Sequence, residues 1–85
     1  MESLKIYAIY DAKAQRYQQP FLALKDIFAQ RAFHLKITDE NAFMNKWPED
    51  FSLYKIAEFN METGKISINC ILIIAGNQIS KEDEK

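Results

Sequence analysis

Phe51-Ser52-Leu53-Tyr54-Lys55-Ile56-Ala57-Glu58-Phe59, then Asn60-Met61-Glu62-Thr63-Gly64-Lys65, then Ile66-Ser67-Ile68-Asn69-Cys70 reads as two strand-forming runs around a cluster of turn formers. β-Branched and aromatic side chains suit a pleated, half-buried surface, and Gly64 is the natural place for a positive φ in the connection. We therefore expect an antiparallel hairpin. The strict alternation of its second arm puts Ile66, Ile68 and Cys70 on the core face and Ser67 and Asn69 towards water. Ile71-Leu72-Ile73-Ile74 prolongs that arm or starts a further strand before Gly76-Asn77.

Working back towards the N-terminus, Leu4-Lys5-Ile6-Tyr7-Ala8-Ile9-Tyr10 is a strand apolar on both faces, which suits an interior position. Asp11 to Gln19 is a polar connection. From Pro20 the apolar period lengthens: Leu24, Ile27, Phe28, Arg31, Ala32 and Leu35 recur at three- and four-residue steps, predicting a helix over residues 21–36. Thr38 or Asp39 can cap a short second helix over residues 41–46, and Pro48 forces Trp47 out of helical geometry and ends it in a turn. The expected fold is α+β: an antiparallel sheet of three or more strands, with one long and one short helix packed on one face, in the order β-α-α-β-β. The N-terminal strand is expected beside the hairpin. Residues 1–80 make one domain, and Lys81-Glu82-Asp83-Glu84-Lys85 reads as a charged, disordered tail.

Eighty-five residues leave room for a single small domain, stable only marginally by itself, so self-association, in the simplest case a dimer, is expected to help. The formal charge of −1 provides no global field for a polyanion, but the charges are unevenly placed. Residues 1–36 hold six cations against three carboxylates, and residues 37–63 hold two against six. One cysteine, Cys70, closes no intrachain disulfide, and its apolar strand suggests a buried, inert thiol. His34 is the single imidazole and Gly64 and Gly76 are the two glycines, so neither a Cys/His metal cluster nor a phosphate-cradling glycine loop can be assembled. No cofactor, metal or catalytic residue is therefore expected, and an enzyme built on Glu49, Asp50 or His34 is the weakest reading. No apolar run approaches the roughly 20 residues of a membrane-spanning helix, and no secretory signal is visible, so a reducing cytoplasm is the expected setting.

Binding chemistry has more material. Tyr7, Tyr10, Tyr17 and Tyr54 interleave with Lys5, Lys13, Arg16 and Lys55, the combination of rings and cations that holds single strands by stacking and by phosphate contacts. The expected DNA-binding residues are Lys5, Tyr7, Lys13, Arg16, Tyr17 and Lys25, used with little sequence preference. The competing expectation is a protein-interaction module that engages other proteins through the acidic middle and an open strand edge.

Tyr7-Ala8-Ile9-Tyr10-Asp11, Pro20-Phe21, Ala29-Gln30-Arg31-Ala32-Phe33, Trp47 through Tyr54, and Phe59-Asn60 through Thr63-Gly64-Lys65-Ile66 together resemble, in order, the small non-structural protein of gokushoviruses, single-stranded DNA phages of the microvirus family. The resemblance runs over residues 4–68. It implies a DNA-binding protein similar to the packaging switch protein of related microviruses, acting on replication intermediates in the host cytoplasm and directing single-stranded genomes into procapsids. It implies no catalytic residue.

Overall fold

The computed structural model describes residues 3–79, so the expected domain end at residue 80 and the tail at 81–85 lie outside the described residues. One antiparallel sheet organises the chain. Strand β1 (Ser3–Asp11) is interior, with β4 (Phe51–Asn60) on one side and two short strands, β2 (Arg16–Tyr17) and β3 (Phe21–Ala23), sharing its other side. Strand β5 (Ile66–Ala75) follows β4 and forms the edge. Helices α1 (Asp26–Thr38) and α2 (Phe43–Lys46) complete the α+β fold, with the N-terminal strand beside the hairpin.

The two short strands separate this order from the expected one. Phe21, Leu22 and Ala23 pair with Tyr7, Ile6 and Lys5 instead of opening the helix, so α1 begins five residues late, after Lys25 in extended geometry. The inward stripe of α1 is Ala29, Phe33 and Ile37, spaced by four, whereas Leu24, Ile27, Phe28 and Leu35 are exposed. Neither Thr38 nor Asp39 caps α2: the Thr38 hydroxyl donates to the His34 carbonyl at 2.8 Å, and Asp39 Oδ1 accepts from the Asn41 amide at 2.9 Å. Trp47 does leave helical geometry ahead of Pro48, which opens a 3-10 turn over Pro48–Asp50.

Tyr7 and Ile9 from β1, Phe51 and Leu53 from β4, Ala29, Phe33 and Ile37 from α1, and Met44 from α2 form the core, with Ile73 and Ile74 against it. Among the described residues, no helix lies on the opposite face of the sheet. Ile66, Ile68 and Cys70 lie there and are exposed, contrary to the alternation-based expectation. Alternation fixes which residues share a face, not which face a helix covers, and β5 changes parity between the pairs Tyr54↔Leu72 and Leu53↔Ile74. Only the stretch after that irregularity turns its isoleucines into the core.

The hairpin turn follows its sequence closely. Asn60 Oδ1 accepts from the amides of Glu62 and Thr63, and Gly64 takes φ +77° with open space where a Cβ would stand. Gly64→Ala is expected to cost about 1 kcal/mol through left-handed backbone strain alone, measured by urea unfolding.

Candidate nucleic-acid interface

Six residues expected to grip DNA are divided by the fold. Lys5 lies on the helix-facing side of β1, where its Nζ donates to the Leu24 carbonyl at 3.2 Å, and Lys25 is exposed just ahead of α1. Tyr7, two residues beyond Lys5 on the same face of β1, is fully buried; its hydroxyl donates to Asp26, and its ring stacks on Phe21. It cannot stack on a base. Burial, then the hydrogen bond to Asp26 and the charges of Asp26 and Glu58, hold its hydroxyl far above the ordinary tyrosine range. Lys55 is also structural: its Nζ is 3.4 Å from Glu58 and 3.9 Å from Asp26.

Lys13 lies on the β1–β2 turn, and Arg16 and Tyr17 form β2, whose register sets Tyr17 beside Tyr10 on the open face and Arg16 beside Asp11 on the helix-bearing one. Asp11 Oδ1 accepts from the Lys13 and Ala14 amides at 3.0 and 3.2 Å, the Asp11 carbonyl accepts from Gln15, and Gln15 closes the turn at φ 58°. The Ala12 amide donates to the Asp50 carbonyl at 2.8 Å, fastening this turn to the Pro48 turn. A local carboxylate and a residue in the left-handed region thus hold a short cationic loop in one shape.

Rings flank the loop on both faces. On the open face Tyr17, 44% exposed, lies 4.8 Å from Tyr10 in a tilted geometry and 5.9 Å from Tyr54 edge to face, centroid to centroid. Tyr17 Oη and Cys70 Sγ share a hydrogen bond at 3.5 Å, so Cys70 is an exposed thiol and not the buried one expected. That bond, with partial desolvation and the neighbouring ionisable groups Cys70, Tyr54 and Tyr10, pushes the Tyr17 hydroxyl up to about 12. The Tyr17 hydroxyl therefore keeps its proton at physiological pH. An apolar depression of about 350 Å³, lined by Ile6, Ala8, Ile56 and Cys70, adjoins it.

On the helix-bearing face, Lys13 lines a pocket of about 500 Å³ with Phe43, Trp47, Phe51, Glu49 and Asp50. Trp47 is 44% exposed and tilts against Phe43 at 5.1 Å. Neither ring is among the residues expected from the sequence, where Trp47 before Pro48 marks only the end of a helix. Glu49 and Asp50 make the pocket locally acidic, which favours base edges over phosphates within it.

Among the described residues, no group of three or more His, Cys, Asp and Glu is arranged to hold a metal ion, and no helix is long and apolar enough to cross a membrane. Neither the curated proteins nor the solved structures contain a match to this chain. The model of one family, the phage ORF5 protein, matches residues 4–79, nearly the full length, and the chain belongs to that family of phage proteins.

Proposed function

We propose that the protein binds single-stranded DNA without catalysis, at the end of the sheet formed by the β1–β2 turn, during genome replication or packaging in a single-stranded DNA phage of the gokushovirus type. The observation that carries this reading is the exposed Tyr17 ring, clustered with Tyr10 and Tyr54, with Arg16 beside it in β2 and Lys13 on the turn before. Aromatic faces on a sheet accept any base, while cations at the rim follow the phosphates. Phage family membership and the gokushovirus resemblance support the same assignment. Two cations beside several carboxylates imply modest, salt-sensitive affinity. Lys5, Tyr7 and Lys25 drop out of direct contact at this turn.

Fluorescence anisotropy with a labelled oligothymidine over a salt series tests the proposal. Affinity is expected to fall as salt rises, with a log–log slope shallower by about 0.7 after Arg16→Ala. Tyr17→Ala is expected to remove about 1–3 kcal/mol of binding with little change in slope. Folded wild-type protein that shows no binding, or binding indifferent to salt, would refute the reading and leave the protein-interaction role, with viral or host replication proteins as partners.

A further inference from the structure

Strand β5 has the sequence of an interior strand in the position of an edge. Its ten residues, Ile66-Ser67-Ile68-Asn69-Cys70-Ile71-Leu72-Ile73-Ile74-Ala75, include no charge and no proline, the two devices that usually blunt an exposed edge. It pairs with β4 on one side, and no described strand lies on its other side. Large apolar groups project from both of its faces: Ile66, Ile68 and Leu72 on the open face, with Ile68 82% exposed, and Ile71 on the helix-bearing face, 46% exposed. An apolar edge exposed above and below lacks a neighbouring strand; covering one face of the sheet alone would leave Ile71 in water.

We propose that this neighbour is β5 of a second copy, running antiparallel about a two-fold axis perpendicular to the sheet and joining two sheets into one. Every strand pair already formed is antiparallel, so the extension continues the same ladder. A two-fold axis of this kind keeps the open faces on one side, so Ile66, Ile68 and Leu72 of each copy meet the same aliphatic set. Neither strand brings a charge, so self-pairing meets no like-charge repulsion, and a charged partner strand would find no complement. A ten-residue strand about 33 Å long on a molecule 18 Å thick presents about 600 Å² per copy, somewhat below the ~800 Å² of a standard interface. The two irregularities of β5 shorten the continuous ladder further. A reversible, concentration-dependent dimer follows. This inference is independent of the nucleic-acid reading, since it rests on the unpaired apolar edge of β5 and not on the cations or ring cluster.

Sedimentation equilibrium of the full chain without DNA tests it, using Ile68→Lys on one face and Ile71→Glu on the other. Both side chains already meet water, and Glu at 71 stands opposite Lys55, so each variant should keep its fold, which circular dichroism checks. Wild-type protein should pass from one to two chain masses as concentration rises, each substitution should weaken association at least about tenfold, and the outward amides of β5 should exchange hydrogen more slowly at high concentration. A wild-type monomer throughout, or a dimer that neither variant weakens, would overturn the proposal. Weakening by Ile68→Lys alone, with the edge amides unprotected, would also overturn it in favour of face-to-face stacking of the open sheets.

Discussion

Gly76→Ala is expected to lower the melting temperature by on the order of 15 °C, through a loss of about 3 kcal/mol. Gly76 is buried where a second 3-10 turn, Gly76–Gln78, abuts the Pro48 turn. A Cβ at this position would fall deep inside the Pro48 carbonyl oxygen and 2.9 Å from that of Phe51. Both obstacles are backbone, so no rotamer change relieves the contact and one turn must move off the other. A chain of 85 residues holds about 4–13 kcal/mol of total stability, making this loss a large fraction of the whole. Because the displaced turn bears Trp47 and Asp50, and Asp50 holds the Ala12 amide, the variant should also shift Trp47 fluorescence below the melting transition. Asn77→Ala, next in sequence and exposed, is the control. A Gly76→Ala protein that melts with the wild type would mean that the two turns do not meet as described.

Features set by local chemistry were legible in the sequence, and features set by long-range pairing were not. The hairpin, the positive φ of Gly64 and the break before Pro48 each depend on a few adjacent residues, and each stands where it was expected. Phe21-Leu22-Ala23 is different: leucine and alanine favour helix, and only the pairing of Leu22 with Ile6, distant in the chain, makes a strand of them. In α1 two apolar stripes compete. Ile27, Phe28 and Leu35 are as hydrophobic as Ala29, Phe33 and Ile37, and periodicity cannot decide which set the sheet covers. The same ambiguity placed Ile66, Ile68 and Cys70 on the wrong face. It also put Tyr7 among the DNA-binding residues, since a tyrosine reads alike whether its hydroxyl meets water or Asp26. Lys13, Arg16 and Tyr17, the three that the proposal keeps, lie within five residues at the β1–β2 turn and the start of β2, where proximity in sequence brings proximity in space.

Tyr7→Phe is expected to destabilise the protein by about 1–2 kcal/mol at neutral pH yet protect it in alkali. The hydroxyl of Tyr7 donates to the Asp26 carboxylate, and Lys55, 3.9 Å from the same oxygen, draws Glu58 into the group. Removing the hydroxyl deprives Asp26 of one donor, but Asp26 is partly exposed and can turn to water, which keeps the neutral-pH cost moderate. In an unfolded chain a tyrosine ionises near pH 10. In the native protein Tyr7 keeps its proton well above that, because the phenolate would be buried and would face Asp26 and Glu58. Above pH 10 the native state therefore binds more protons at this site than the unfolded state does. Stability from the neutral hydroxyl is complete below pH 10 and declines by up to about 1.4 kcal/mol for each further pH unit until the native Tyr7 itself ionises. Tyr17, also raised, adds a decline of the same sign, which the comparison of wild type with Tyr7→Phe cancels. Chemical denaturation at pH 8, 10, 11 and 12 should show the variant weaker at first, level one to two units above pH 10, and the more stable of the two beyond that. In the wild type, the last tyrosinate absorbance to appear should coincide with unfolding. If the two proteins keep a constant difference through the alkaline range, Tyr7 ionises as freely in the native protein as in the unfolded chain, and its burial against Asp26 is wrong.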